Sequence, residues 1–310
     1  MPDIVIAFFA LGLIAGLLKS DLHVPQSVYQ ILSIMLMLII GLKGGLALHG
    51  KFEIEMLFTL LPIAMLGVFL PLLCYPILRK LVRLPIDDAV SIAAHYGSVS
   101  AATFAVVLSL VEKTGLPLRP ETTLYLVILE LPALVMMLWL HGKLSGKNNK
   151  HSSLREALTS SGVLLLSGGV LIGYIYGPAG LGSLTPVLMG GFKTMLAVFL
   201  LEMGLCTAKA CLPFPLQHWR LIIFAALMPF GLAWIGIAMA VALKLPAGSA
   251  LVLCVLTASA SYIAAPAAIR AAIPNANIGL AMLAALGITF PVNILIGLPL
   301  YQTWIHIFIH

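Results

Sequence analysis

Apolar residues run through this chain in long uninterrupted stretches, at about 4–18, 25–48, 56–78, 88–111, 121–141, 158–176, 184–208, 219–243, 247–269 and 277–305. Most of these stretches approach or exceed the roughly 20 residues that a helix needs to cross a bilayer's hydrocarbon. Their apolar residues do not keep to one face, as expected of helices surrounded by lipid and by each other. The alternating ten-residue strands of an outer-membrane barrel are absent. The pattern predicts an all-α integral membrane protein with ten transmembrane helices. One polar stretch, Lys143 to Glu156, interrupts the series after the fifth run. It divides the chain into 1–142, a linker at 143–156, and 157–310.

Composition excludes a soluble globule. Of 310 residues, 61% are hydrophobic and only 9% charged, against about 25% charged in an average soluble domain. The formal net charge of +6 reads as basic loops facing the cytoplasm. Basic runs with interleaved aromatics are absent, so no nucleic-acid partner is expected. Loops after odd-numbered spans carry 11 Lys and Arg: Lys19, Arg79, Lys80, Arg83, Lys143, Lys147, Lys150, Arg155, Lys209, Arg220 and Arg270. The even-numbered loops carry 4, namely Lys51, Lys113, Arg119 and Lys244. That asymmetry predicts a multi-pass protein of the inner (plasma) membrane, with the linker cytoplasmic and both termini outside (periplasmic). Cys74, Cys206, Cys211 and Cys254 form no metal-ligand spacing and read as small packing residues. The start, Met1-Pro2-Asp3-Ile4, lacks the basic region of a cleaved signal, so the first run is expected to be a retained span.

The halves resemble each other. Pro25 recurs as Pro186, Gly45-Leu46 as Gly204-Leu205, and Leu84-Pro85 as Leu245-Pro246. Ser98-Val99-Ser100 recurs as Ser259-Ala260-Ser261, and Pro132 as Pro291. All five offsets are 159 or 161 residues. Five spans carry a chain across the membrane, so the second half must insert upside down relative to the first. Inverted repeats of this kind mark secondary transporters, whose site lies near the midplane where the halves meet.

The unusual chemistry sits in spans four and nine. Small hydroxyl residues cluster mid-membrane in His95-Tyr96-Gly97-Ser98-Val99-Ser100-Ala101-Ala102-Thr103 and in Thr257-Ala258-Ser259-Ala260-Ser261-Tyr262. Small residues also let helices pack closely, and that alternative stands. The shared repeat position instead suggests that both helices are broken, with serine capping a second half-helix. A half-helix start presents unpaired N–H groups and about half a positive charge. Two starts meeting at a pseudo-twofold axis would hold a small anion without a basic side chain; neither stretch contains an Arg or Lys, and the first beyond the second stretch is Arg270.

Glu130 stands mid-span before Pro132, where an ionised carboxylate costs about 2.5–3.5 kcal/mol. A coupling cation, Na⁺ or H⁺, is one partner for it; a protonated carboxyl that only joins helices is the alternative. Thr289 and Asn293, at the equivalent place in the second half, offer neutral oxygens to a hard cation. Lys43 and Glu202 are buried charges at equivalent repeat positions, and their expected role is structural, as a pair. His95 reads either as a pH-sensitive group or as a hydrogen-bonded core histidine.

The block from Ser259 through Tyr262 and Pro266 to Arg270, then Pro274-Asn275-Ala276-Asn277 and Gly287-Ile288-Thr289-Phe290-Pro291-Val292-Asn293, closely resembles the sodium-dependent bicarbonate transporter family. That is the family of the cyanobacterial high-affinity bicarbonate importers. Gly97-Ser98-Val99-Ser100 and Glu130-Leu131-Pro132-Ala133 match as well. The resemblance implies a five-plus-five inverted repeat with broken helices four and nine, a homotrimer, and an elevator-like movement of a core against a scaffold. It implies bicarbonate as substrate at Ser98, Ser100, Ala101, Ser259, Ser261 and Tyr262. It implies sodium at Thr103, Glu130, Thr289 and Asn293, with no other cofactor. A cytoplasmic trimeric regulatory protein of the nitrogen-signalling type is a further implied partner. Two departures stand out: the cyanobacterial members usually have Asp where Glu130 stands, and their central linker is longer than 143–156.

The resulting expectation is a sodium-coupled symporter for bicarbonate or a similarly small monoanion. A sodium/proton antiporter or proton-coupled anion transporter on a related fold, and a membrane receptor that binds an anion without moving it, are the rivals. Neither H-E-x-x-H nor G-x-S-x-G occurs, so no enzyme is expected.

Overall fold

The computed structural model describes residues 4–51, 53–145, 159, 161–182, 184–211 and 216–309. The described residues are helical without a strand. The first half contains α1 (Ile4–Leu17), α2 (Gln26–Leu48), α3 (Met56–Ile77, continued by a π turn at Leu78–Val82), α4 (Ile86–Gly97), α5 (Ala101–Thr114) and α6 (Tyr125–Leu144). The second contains α7 (Ser161–Gly180), α8 (Thr185–Cys211), α9 (Trp219–Ala242), α10 (Ala247–Thr257), α11 (Ala264–Ala272) and α12 (Ile278–Phe308). Among the described residues, seven helical stretches are long and apolar enough to cross a membrane, and three shorter apolar helices accompany them. One of the seven, Ile86–Thr114, comprises α4 and α5 end to end. Most of the linker expected at 143–156 lies outside the described residues, as does the side chain of Cys211.

Two helix pairs cross the boundary between the halves. α2 packs along α7, and α1 along α8. Glycine makes both crossings possible. A Cβ on Gly41 would lie 2.5 Å from the Leu166 carbonyl, and one on Gly173 2.5 Å from the Leu42 carbonyl. In the other pair, a Cβ on Gly12 would overlap the Leu201 carbonyl, and one on Gly204 the Phe9 carbonyl. Close backbone approach of this kind is how transmembrane helices gain dispersion contacts where lipid removes the hydrophobic drive.

The central layer is formed by the short helices. Every residue from Ala89 to Gly97 on α4 and from Gly248 to Thr257 on α10 is buried, because these helices are surrounded by protein rather than lipid. α3 and α6 cover α4, and α9 and α12 cover α10. α12 is irregular: π-helical turns at Leu283–Thr289 and Asn293–Gly297 flank Pro291. Proline removes a backbone donor and displaces the carbonyl one turn earlier, and π turns absorb the change of register. Thr207 Oγ1 donates to the Leu286 carbonyl in the first of these turns, at 3.1 Å.

The Lys43–Glu202 pair expected from the sequence does not form. Lys43 Nζ lies 3.0 Å from Glu112 Oε1 on α5 and 4.6 Å from the Phe192 ring centroid. Glu202 instead sits near Tyr29, whose ring stacks on Phe199 at 5.5 Å, and it accepts from Cys206 Sγ at 3.2 Å. Tyr29 and Lys43 are separated along α2 by about 21 Å at 1.5 Å per residue. The two charges are at different depths, out of reach of each other.

Candidate functional site

Two chain breaks meet in the central layer. α4 ends at Gly97, with Ser98 bonded back to the Ala94 carbonyl at 2.9 Å. Val99 takes φ +45°, left-handed backbone that a β-branched residue rarely adopts. α5 then starts at Ala101 with Ser100 as its cap, its Oγ accepting from Thr103 N at 3.2 Å. In the second half α10 ends at Thr257 and α11 starts at Ala264, with Ser261 Oγ accepting from Ala265 N at 3.2 Å. The breaks bond to each other. Ser100 N donates to Ser259 Oγ at 2.8 Å, and Ser261 N donates to the His95 carbonyl at 2.7 Å.

The donor count at the two starts is informative. A helix start leaves four N–H groups without intrahelical acceptors. At α5, Ser259 takes that of Ser100 and Ser100 Oγ takes that of Thr103, which leaves Ala101 and Ala102. At α11, Ser261 Oγ takes that of Ala265 and Pro266 has none, which leaves Ile263 and Ala264. In the first break, Ser98 Oγ is fully buried and has no hydrogen-bond partner. The Tyr262 hydroxyl lies beside Ser100 without a bond of ordinary geometry, and its ring meets Phe290 edge-on at 5.3 Å. Backbone donors, an unused hydroxyl and partial positive charge suit a small oxyanion.

The residues expected at a cation site are all buried, but among the described residues no hydrogen bond joins the four. Glu130 Oε1 has no partner. It and Ala264 Cβ each lie 3.0 Å from the point that a Cβ on Gly162 would occupy, so the carboxyl sits beside the first residue of α11. The positive end of that helix favours a carboxylate there. Thr289 Oγ1 donates to the Ala225 carbonyl at 2.7 Å and receives the Tyr96 hydroxyl at 2.6 Å. Asn293 Nδ2 donates to the Ala258 carbonyl at 2.7 Å, and its Oδ1 accepts from Tyr301 at 2.9 Å. Thr103 lines the first turn of α5, with its N–H on Ser100. Among the described residues no group of three or more His, Cys, Asp and Glu stands ready for a metal ion. Cations held here would rely on hydroxyl and carbonyl oxygens beside the single carboxylate of Glu130, as Na⁺ relies on carbonyls at unwound transmembrane helices. His95 is buried, with Nδ1 2.7 Å from the Ser91 carbonyl and Nε2 unpartnered.

Tyr96, Tyr301 and Gly162 escaped the sequence reading. Tyr96 stands inside the quoted serine motif, and its signal was a large hydroxyl residue immediately before a break. Gly162 carried no signal, because its role is to leave room for a carboxylate from another helix.

An all-helical bundle with buried, cross-linked helix breaks and an unpartnered oxygen on the buried Glu130 carboxyl belongs to the class of polytopic membrane proteins built around an internal polar site. Within that class the chain belongs to the Na⁺-dependent bicarbonate transporter superfamily, whose family model matches residues 4–306. No individual curated protein matches it.

Proposed function

We propose that this protein imports bicarbonate, or a similarly small monoanion, together with Na⁺ by alternating access across the inner membrane. The family supplies the class of substrate and coupling ion. The observation that carries the reading to residues is the pair of helix starts bonded across their breaks, with Ser98 Oγ in the first break left unused. Bicarbonate binds at Ser98, Ser100, Ala101, Ser259, Ser261 and Tyr262. Its negative charge is met by the backbone donors of α5 and α11 and by the Ser98 hydroxyl.

Sodium is held by Glu130, Thr103, Thr289 and Asn293. Its charge answers the Glu130 carboxylate and stabilises the neighbouring anion. At a separation of 4 Å and an effective dielectric near 20, opposite unit charges attract by about 4 kcal/mol. Each ion therefore raises the affinity for the other, and that reciprocity is the thermodynamic basis of coupling.

The chain is read as two inverted five-span halves, 1–142 and 157–310, joined by a cytoplasmic linker at 143–156. In this reading α4–α5 and α10–α11 are broken spans four and nine. The exchanged pairing of α1 with α8 and α2 with α7 is what two inverted copies related by a twofold axis produce. The central layer moves as the core of an elevator against a scaffold made of those exchanged pairs. The protein works as a homotrimer, and a nitrogen-signalling-type trimer binds its cytoplasmic face.

Uptake of labelled bicarbonate into proteoliposomes tests the function. The reading predicts accumulation under an inward Na⁺ gradient and little when Na⁺ is replaced by K⁺. Uptake indifferent to Na⁺ sinks it in favour of proton coupling, and binding without counterflow makes the protein a receptor.

A further inference from the structure

We propose that the protein binds an anionic glycerophospholipid in the groove between the end of α3 and the start of α9. The groove encloses about 530 Å³. Its walls are apolar, with Ile77 and Leu81 on one side and Ile223 and Leu227 on the other. Leu81 is 70% exposed and Leu227 63%, so the walls face outward to lipid rather than inward to the core. At one end Lys80, Arg83 and Arg220 border the same cavity, which no carboxylate lines.

These three cations are available to a ligand. Among the described residues none of them forms an ion pair, whereas Arg79 alongside is occupied by the Leu84 carbonyl. Arg83 is carried by left-handed backbone at φ +67° where the π turn of α3 ends. Arg220 lies 5.3 Å from the Trp219 ring centroid, in the first turn of α9. That 24-residue helix directs its unpaired N–H groups to the same end of the groove, adding to the positive potential. Tryptophan at a span's end sits at headgroup level, which sets the depth at which a phosphate meets the three cations.

The combination selects the ligand. An apolar trough two to three helical turns long takes an acyl chain, and a cluster of unpaired cations at its headgroup end takes a phosphodiester. The basic loops concerned follow spans three and seven, both assigned to the cytoplasm by the loop charges, where anionic lipid is enriched and basic pockets between helices hold such headgroups. A zwitterionic lipid brings its own cation into the cluster and gains less.

The test is native mass spectrometry of the detergent-purified protein titrated with phosphatidylglycerol, with phosphatidylcholine of identical chains, or with inorganic phosphate. The expected result is one tight phosphatidylglycerol per chain, preferred over phosphatidylcholine by about tenfold or more. Lys80→Ala/Arg83→Ala/Arg220→Ala should weaken phosphatidylglycerol by about a hundredfold and remove the preference. Leu227→Trp, which narrows the trough and keeps every charge, should weaken both lipids. Equal binding of the two lipids to the wild type overturns the proposal, as does an unchanged preference in the triple variant. Displacement of the lipid by millimolar inorganic phosphate reassigns the cluster to a free anion and overturns it too. If the triple variant does not fold, Leu227→Trp decides: unaltered phosphatidylglycerol affinity refutes the site. The readout needs neither bicarbonate nor Na⁺, so it stands or falls apart from the transport reading.

Discussion

The two helix breaks carry the same serine pair and use it differently. Ser100 and Ser261 are equivalent by repeat, and each caps the half-helix that follows it, accepting from Thr103 N and Ala265 N respectively. Ser98 and Ser259 are also equivalent, yet their hydroxyls diverge. Ser259 Oγ accepts from Ser100 N and donates to the Leu256 carbonyl, so it is spent on tying the breaks together. Ser98 Oγ is equally buried and bonds to nothing; Ser261 N, the counterpart in sequence of the Ser100 N that Ser259 accepts, goes to the His95 carbonyl. The first break is also tighter, turning in three residues through the left-handed Val99. One serine of the pair therefore serves the fold, and the hydroxyl of its mate goes unused by it.

Substitutions separate these roles, and the largest effect belongs to bulk. Ser98→Phe should abolish bicarbonate binding, a loss of about a hundredfold or more, in protein that still elutes as folded; normal affinity would end the assignment. Glu130→Gln should lower apparent Na⁺ affinity by about tenfold, equivalent to about 1.4 kcal/mol. A Na⁺ titration that does not move would assign this residue to packing. Alanine distinguishes the serines more finely. Ser259→Ala leaves the Ser100 N–H without an acceptor and should cost about 1–3 kcal/mol of stability, read as a lower melting temperature. Ser98→Ala removes a hydroxyl that the fold does not use. It should leave the melting temperature unchanged and weaken bicarbonate by about 0.5–1.5 kcal/mol. Equal melting losses in both variants would erase the difference between the breaks. The smallest effect concerns the scaffold: Lys43→Ala should cost no more than about 1 kcal/mol, because Glu112 is 42% exposed. Exchanging Lys43 and Glu112 together should restore what either charge reversal loses, whereas exchanging Lys43 and Glu202 should not.

Much of this was legible in the chain. The apolar runs overlap the helices to within a few residues, and seven helical stretches among the described residues have the length and apolarity to cross a membrane. The serine clusters coincide with the chain breaks, because mid-membrane hydroxyl residues have few other uses than capping and close packing. Partner identity was harder. Lys43 and Glu202 share a repeat position in the sequence, but residues at equivalent positions need not touch. The serine segments bond to each other, whereas Lys43 is five residues from the end of α2. Counting depth favours Glu112, two residues from the end of α5. The glycine crossings were hidden for another reason. Glycine marks a close approach only when the facing helix is known, and nothing in the pattern paired α2 with α7.

The most direct measurement is a high-resolution structure with bicarbonate and Na⁺ both bound. The anion is expected between the starts of α5 and α11, within hydrogen-bonding distance of Ser98 Oγ, with the cation on the Glu130 side of it. Density for the anion elsewhere, with Ser98 Oγ still unpartnered, would contradict it.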